Sequence, residues 1–306
     1  MTAPAPDSAG ARASVILLGI VWGLNWPAVK VALTGVTPWT LRAVGLGLGA
    51  LTLLALALLR RRSVAVPAGR PRRQLAIAGL LNVAGFNLLA AFAQLSAATS
   101  RVAIVAYTMP LWATFLAWLV LGERLDPLRA LALVLGASGL SILLLPLVGA
   151  ALPVGLLYAL GAAISWAAGT VYLKRARIHA DPLAIAAWQL AIGAAVAGGG
   201  LVVFEGLPHL WPLPGSVVFA FGYYVVLGTA LAYFLWFEII ARLPAATATL
   251  GTLLVPVVGV LSAVLLLGER PTATDMAGFT LIFVAAASVL LQPAGVRLPV
   301  RASDNE

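Results

Sequence analysis

The chain has 306 residues, of which 62% are hydrophobic and only 9% are charged, and its mean hydropathy is +1.04. A soluble globular protein carries about 25% charged residues, so this composition excludes that class. The formal net charge of +9 would suggest nucleic-acid binding in a soluble protein. The chain contains no cysteine, which excludes disulfides and thiolate metal sites.

Ten long apolar segments follow one another along the chain. Runs of about 20 apolar residues cross the bilayer core as helices, whereas the strands of a membrane barrel would show alternating segments of about ten residues. We therefore predict an all-α integral membrane protein with ten spans. The predicted spans are 13–33, 37–59, 74–96, 99–121, 128–148, 152–174, 183–203, 215–241, 245–267 and 273–291. The first is interpreted as a retained span, because the residues before it lack the basic region of a secretory signal.

The basic residues predict the orientation of these spans. If the N-terminus lies inside, only four of the 19 Lys and Arg residues fall on the outer side, namely Lys30, Arg42, Arg101 and Arg270. Cytoplasmic loops of membrane proteins carry an excess of Lys and Arg, so we predict that both termini are cytoplasmic, in a multi-pass protein of the inner (cytoplasmic) membrane. This bias explains the net positive charge without a nucleic-acid partner.

Several short motifs occur twice, 144 or 146 positions apart. The matched positions are Trp22 with Trp166, Lys30 with Lys174, Pro110 with Pro256, and Gly122-Glu123-Arg124 with Gly268-Glu269-Arg270. We predict two five-helix repeats, 13–148 and 152–291, between short tails at 1–12 and 292–306. Because five is odd, the second repeat must enter the membrane in the opposite sense. Inverted repeats of this kind are typical of secondary transporters with a substrate site near the bilayer midplane.

These motifs resemble those of a known transporter family. The residues that carry the resemblance are Trp22-Gly23-Leu24-Asn25 with Lys30, Pro110 followed by Leu119–Arg124, and Pro256 followed by Leu265–Arg270. Over residues 14–291 the chain resembles the EamA branch of the drug/metabolite transporter superfamily, and it is similar to amino-acid exporters of the YddG type. The resemblance implies ten spans, cytoplasmic termini and the export of small metabolites. Other members move sugars, nucleotide sugars, phosphorylated sugars or drugs.

Polar and aromatic side chains near the span centres are the candidates for a substrate cavity. A polar amide that faces lipid costs free energy, so each should face protein or a water-filled cavity. The predicted cavity residues are Trp22, Asn25, Asn82, Phe86, Tyr107, Trp166, Trp188, Gln189 and Tyr233. Two alternatives stay open: the amides form interhelical hydrogen bonds, and the Trp and Tyr side chains belong to interfacial belts.

Three prolines inside predicted spans, Pro27, Pro110 and Pro256, are predicted to kink their helices. Proline removes a backbone donor and frees the carbonyl four residues earlier. The freed carbonyls would expose backbone polar groups to a cavity. The alternative is a permanent kink that shapes the bundle without moving.

Four charged residues within or beside spans are candidates for a gate or vestibule: Lys30, Arg42, Lys174 and Glu238. Arg42 either faces an outer vestibule, where it would attract a carboxylate, or snorkels to the lipid headgroups. Snorkelling is the favoured interpretation for both lysines, and Glu238 is expected to form a helix ion pair with Arg242. The repeated Gly-Glu-Arg triplet either stops a span at the membrane surface or takes part in a salt-bridged gate.

No Asp or Glu lies at the centre of a predicted span, whereas proton-driven carriers place such residues in the membrane. We therefore expect an uncoupled or gradient-driven exporter of small metabolites that works by alternating access. An aromatic centre without a cluster of cations favours neutral or aromatic amino acids over phosphorylated substrates. The alternatives are an exporter of drugs, sugars or other metabolites, and a passive channel.

An enzyme is not predicted, because the sequence contains no metal constellation, no nucleotide-binding glycine loop and no convincing catalytic set. No cofactor and no metal ion are expected. The predicted partners are a small-molecule substrate and membrane lipid, with no nucleic acid. We expect a monomer, and a dimer stays open.

Overall fold

The structure is a computed structural model that describes residues 8–123, 125–144, 154–206, 212–235, 239 and 245–290. Throughout these ranges the regular structure is helical and contains no strand. The helices are α1 Ser8–Ala32, α2 Pro38–Leu59, α3 Arg70–Ser96, α4 Thr99–Leu121, α5 Pro127–Leu144, α6 Val154–Ala176, α7 Pro182–Glu205, α8 Gly215–Leu235, α9 Ala245–Leu267 and α10 Ala273–Leu290.

Eight of these helices, α1 to α8, are long and apolar enough to cross a membrane. Within the described ranges, α9 and α10 contain the shorter apolar stretches Leu253–Leu267 and Ala273–Ser288. The prediction of an all-helical integral membrane protein is therefore confirmed. The helices α1 and α3 begin a few residues before their predicted spans, because polar residues continue the helix beyond the apolar run.

The helices α3 and α8, which occupy equivalent places in the two predicted repeats, share an irregularity. Each contains a π-helical segment, Leu80–Gly85 in α3 and Tyr224–Leu231 in α8. Such segments widen the helix locally and are frequent at functional sites. Both of them contribute residues to the cavity described below.

The three prolines predicted to kink their helices differ in what the backbone does around them. The helix α4 is interrupted at Tyr107 and Thr108, two residues before Pro110, and these two residues have ψ angles of 5° and −5°. Proline at this position cannot donate to the carbonyl one turn earlier. By contrast, α1 and α9 continue as helices through Pro27 and Pro256.

The helices pack in pairs that join the two halves of the chain. The most extensive contacts are those of α2 with α7, α5 with α10 and α1 with α9, while α6 packs against both α3 and α4. In the predicted repeat, each helix of the first half corresponds to the helix five places later. The contact of α1 with α9 then corresponds to that of α6 with α4, and the contact of α1 with α8 corresponds to that of α6 with α3. All four contacts are present. The pairs α2–α7 and α5–α10 exchange into themselves. The space between the halves is therefore enclosed in a symmetric way.

The α5–α10 pair depends on two glycines that face each other. A Cβ atom at Gly139 would lie 2.9 Å from the carbonyl oxygen of Gly278, and a Cβ atom at Gly278 would lie 3.0 Å from the carbonyl oxygen of Gly139. Small residues allow helix backbones to approach closely in membranes. This close approach holds α5 and α10 together at one side of the bundle.

Candidate functional site

A cavity of about 490 Å³ lies at mid-height of the helix bundle. A volume of this size is typical of sites for small molecules. Eight helices line the cavity, and among the described residues only α5 and α10 contribute none. These two helices correspond to each other in the predicted repeat, so the cavity wall follows the internal symmetry.

Eight of the nine predicted cavity residues lie together on this wall. They are Trp22, Asn25, Asn82, Phe86, Tyr107, Trp166, Gln189 and Tyr233. The structure places Trp188 elsewhere: it is 40% exposed, and its indole N–H donates to the carbonyl of Val64 at 2.8 Å. Neighbouring residues on a helix point about 100° apart, so the inward position of Gln189 turns Trp188 outward.

Several residues of the wall were missed by the sequence prediction. They include Trp26, Met109 and Thr229. Helical spacing could have identified some of them, because Trp26 follows Trp22 by four residues and therefore lies on the same helix face. The cavity wall also includes Pro110, at the interruption of α4, whereas Pro27 and Pro256 are not part of it.

The aromatic side chains form part of the wall through edge contacts. The ring centroids of Trp22 and Tyr233 are 6.2 Å apart with an interplanar angle of 80°, which is the edge-to-face geometry that aromatic pairs prefer. Tyr223, next to the wall residue Tyr224, donates its hydroxyl to the carbonyl of Val21 at 3.0 Å. These contacts join α1 to α8 across the cavity.

Two of the four amides on the wall are hydrogen-bonded within the protein. Asn82 Nδ2 donates to Thr170 Oγ1 on α6 at 3.3 Å, and Asn87 Nδ2 donates to the carbonyl of Val83 at 2.9 Å. For Asn82, the interhelical hydrogen bond considered as an alternative is therefore present. The amides of Asn25 and Gln189 differ from these two.

Four buried polar atoms have no hydrogen-bond partner within the described part of the chain: Asn25 Oδ1, Arg42 Nε, Gln189 Oε1 and Tyr224 OH. Three belong to residues on the cavity wall, and the fourth belongs to Arg42, which stacks on the Tyr224 ring. A buried polar atom without a partner costs about 1–3 kcal/mol. Their concentration at one cavity favours a site for a polar ligand.

Arg42 is buried rather than directed to the lipid headgroups. Only 4% of the residue is exposed, and its Cζ atom lies 5.0 Å from the centroid of the Tyr224 ring. The snorkelling interpretation of Arg42 is therefore wrong, because a snorkelling guanidinium must reach the surface of the bundle. The nearby Trp39 stacks instead on Phe204, with ring centroids 5.4 Å apart.

Lys30 lies at one end of the bundle, where it contacts the end of α3. Its Nζ atom donates to the carbonyls of Gln94 and Ala97. Beside it, the carboxylate of Glu269 accepts the N–H groups of Thr99 at 2.5 Å and Ser100 at 2.9 Å, at the start of α4. A cation at a helix C-terminus and an anion at a helix N-terminus both match the helix dipole, so Lys30 caps a helix and does not snorkel.

A bidentate ion pair lies beside this cluster. Arg101 Nε and Nη2 donate to the two carboxylate oxygens of Asp275 at 2.8 and 3.0 Å. Asp275 also accepts the N–H and the hydroxyl of Thr272, each at 2.9 Å. The pair joins α4 to α10 at the same end of the bundle. We call Lys30, Gln94, Arg101, Glu269 and Asp275 the Lys30 cluster.

Lys174 lies at the opposite end of α4. It forms an ion pair with Glu123, and 64% and 34% of the two side chains are exposed. Glu123 is also 3.9 Å from Arg129. We call Lys174, Glu123 and Arg129 the Lys174 cluster. The fourth predicted gate residue, Glu238, lies outside the described residues. Within those ranges, no group of three or more His, Asp or Glu could hold a metal ion.

Comparison with known proteins places both halves of the chain in one family. Residues 12–145 and residues 153–291 each match the EamA-like transporter family. The gap between the two matches falls at the predicted junction of the two repeats. The family description therefore covers almost all of the helical part of the chain.

Named relatives also extend over most of the chain. The uncharacterized transporter YvbV of Bacillus subtilis (strain 168) is 28% identical and aligns over 87% of this chain and 86% of its own length. A probable amino-acid metabolite efflux pump of Salmonella typhimurium is 27% identical, over 87% and 90%. The uncharacterized inner membrane transporter YedA of Escherichia coli (strain K12) is 28% identical, over 91% and 90%. One crystal structure of a protein superposes with a TM-score of 0.60 at 25% identity, over 90% of this chain and 96% of that chain.

Proposed function

The chain belongs to the EamA-like transporter family, and we propose that it exports neutral or aromatic amino acids by alternating access. Its class, a multi-pass transporter of the inner membrane, follows from the family, the eight candidate spans and the inner-membrane relatives. The observation that carries the proposal for the substrate is the aromatic and amide-lined cavity at mid-height of the bundle.

We propose ten spans in two inverted repeats, 13–148 and 152–291, with cytoplasmic tails at 1–12 and 292–306. The exchange pattern of helix contacts supports this topology, since the most extensive contacts between the halves either have a counterpart or exchange into themselves. The two separate family matches support it as well. In this topology the Lys30 cluster lies at the outer face and the Lys174 cluster at the cytoplasmic face.

The chemistry of the cavity supports a zwitterionic substrate with an apolar side chain. Trp22, Phe86 and Trp166 offer aromatic surface, and Asn25 and Gln189 offer amides that have no partner within the described residues. No Lys and no carboxylate lies on the described wall, so a phosphorylated substrate would find no cluster of cations there. One relative is named a probable amino-acid metabolite efflux pump, which agrees with this substrate class.

We propose that the two halves rock about the cavity and open it to one face at a time. The Lys30 and Lys174 clusters lie at opposite ends of α4, above and below the cavity, where a gate would act. The described cavity wall carries no Asp, Glu or His. Since proton-driven carriers use such residues, we propose that the substrate moves down its own gradient. We also propose that the protein works as a monomer.

The test is uptake of labelled phenylalanine and other amino acids into proteoliposomes. We expect saturable uptake that related amino acids compete with and that falls at least about tenfold in Trp22→Ala or Trp166→Ala, the size of effect that loss of a buried aromatic contact gives. Trp188→Ala is the matched control, because this tryptophan lies outside the cavity. It should transport like the parent protein.

Other outcomes would redirect the proposal. Uptake that does not saturate would indicate a passive channel. Uptake of sugars or drugs in place of amino acids would replace the substrate class. Uphill uptake driven by an imposed pH gradient would contradict movement down the substrate gradient alone.

A further inference from the structure

Arg42 is a cation buried beside the substrate cavity. It is 4% exposed, and its Nε atom has no acceptor among the described residues. A guanidinium carries a positive charge and five N–H donors, so Arg42 needs acceptors where it is buried. A charged side chain inside a membrane protein is costly and marks a functional site unless it is paired.

The carboxylates that the structure describes are all engaged elsewhere. Glu269 and Asp275 belong to the Lys30 cluster, and Glu205 accepts from the hydroxyls of Thr37 and Thr40. At the other end of the bundle, the remaining three bind cations or a backbone N–H group. Within the described part of the chain, Arg42 packs against the ring of Tyr224. A cation–π contact stabilises a cation but does not neutralise it.

Tyr224 connects Arg42 to the cavity. It lies on the cavity wall, is 2% exposed, and its hydroxyl has no hydrogen-bond partner in the described part of the chain. Gly45, three residues after Arg42 on α2, makes room for this hydroxyl, since a Cβ atom at Gly45 would lie 2.6 Å from the Tyr224 oxygen. The guanidinium lies over the ring that carries this hydroxyl, and both groups can donate hydrogen bonds.

The amide of Asn25 lies on the same cavity wall as Tyr224. A Cβ atom at Gly228 would overlap with Asn25 Oδ1 and lie 2.8 Å from its Cγ atom. Gly228 and Tyr224 belong to the same π-helical segment of α8, and both lie on the cavity wall. Donors for an anion and an amide oxygen without a partner among the described residues thus lie at one cavity. The two charged groups of an α-amino acid are attached to one carbon and need both kinds of group within one site.

We propose that Arg42 and the Tyr224 hydroxyl bind the carboxylate of the substrate, and that the amide oxygens of Asn25 and Gln189 accept hydrogen bonds from its ammonium group. The inference rests on the proposed function, because it assigns the groups of an amino acid to the wall. The fork of a guanidinium can hold both oxygens of a carboxylate. The aromatic part of the wall then receives the side chain.

Three ligands that share one side chain test this assignment. Phenylalanine has both charged groups, phenylalaninamide lacks the carboxylate, and 3-phenylpropionate lacks the ammonium group. Binding of each ligand to the purified protein is measured directly by isothermal titration calorimetry. In the parent protein we expect phenylalaninamide to bind at least about tenfold more weakly than phenylalanine, as for the loss of a hydrogen bond to a charged group.

Substitutions then locate the effect. In Arg42→Gln, phenylalanine should lose at least about tenfold in affinity while phenylalaninamide changes little, so that the two bind alike. Arg42→Lys should fall between these limits, because a lysine keeps the charge and loses the fork. Tyr224→Phe should reduce the affinity for phenylalanine by a smaller factor. Arg73→Gln removes an exposed charge and serves as the control.

The outcomes separate this inference from the proposed function. If phenylalanine is transported but the parent protein does not distinguish it from phenylalaninamide, the carboxylate site is overturned and the transporter stands. If 3-phenylpropionate binds and phenylalanine does not, the carboxylate site stands and the amino-acid substrate is wrong. If no carboxylate ligand binds, both are wrong. Should Arg42→Gln fail to fold, the comparison of phenylalanine with phenylalaninamide in the parent protein still tests whether the cavity binds a carboxylate.

Discussion

The two ends of α4 carry the same pair of residues in different surroundings. At one end, Lys30 caps the end of α3 and Glu269 caps the start of α4. At the other end, the repeat-related Lys174 and Glu123 form a direct ion pair that is largely exposed. The sequence motif is repeated, but the interactions are not.

This difference has a physical consequence. A carboxylate that accepts two N–H groups at a helix start satisfies donors that would otherwise be unpaired. An exposed ion pair contributes little, because water and salt screen it. The Lys30 end is therefore held more firmly than the Lys174 end.

The largest expected difference is between the two glutamates. Glu269→Ala should lower the free energy of unfolding by about 2–3 kcal/mol, because two N–H groups at the start of α4 lose a charged acceptor. Glu123→Ala should have a much smaller effect. Apparent melting temperatures of the two variants in one detergent measure this, and equal shifts would contradict the comparison.

The ion pairs at the two ends should also differ. A double-mutant cycle with Arg101→Gln and Asp275→Asn should give a coupling of about 1–3 kcal/mol, since the pair is bidentate and partly buried. The same cycle with Arg62→Gln and Asp181→Asn should give less, because that pair has a single 3.3 Å contact and Arg62 is half exposed. A larger coupling for the second pair would reverse the ranking of the two ends.

The lysines offer a smaller test. Lys30→Met should cost about 1 kcal/mol, because the carbonyls at the end of α3 lose a charged donor. Lys174→Met should leave the melting temperature nearly unchanged. The variants are matched in length and in charge removed, so a greater loss in Lys174→Met would show that the exposed pair is the more important one.

The salt concentration should have the smallest effect on the stability of these variants. Raising the ionic strength from about 0.1 M to 1 M shortens the screening length from about 10 Å to 3 Å. The small destabilisation by Glu123→Ala should then disappear, whereas that by Glu269→Ala should persist. The same salt dependence for both variants would mean that the two glutamates are equally exposed to solvent.

The fold class could be predicted from the composition of the sequence and from the length of its apolar runs. Apolar runs of span length admit only helices in lipid, because every backbone group must bond within its own segment. The observed bounds of α2 and α4, Pro38–Leu59 and Thr99–Leu121, agree with the predicted spans to within one residue. The π-helical segments of α3 and α8 were not predicted, since no local residue pattern specifies them.

The candidate site was predicted in part. Polar and aromatic residues near span centres identified most of the wall, because lipid excludes unpaired amides. Trp188 was misplaced, because the rotation of α7 is set by its contact with α2 and not by its own sequence. Arg42 was assigned two alternatives, and only the packing of Tyr224 against α2 distinguished them.

By itself, the sequence determined that this chain lies in a membrane, that it is helical and that its motifs repeat. The first two properties follow from the length and polarity of continuous segments, because each segment must be long enough to cross the bilayer and must satisfy its own backbone hydrogen bonds. Only the tertiary structure decided which side chains face the cavity, which buried groups stay unpaired there, and which end of α4 is firmly capped. Each of these depends on contacts between residues far apart in the chain, such as Lys30 with Gln94 and Thr99 with Glu269.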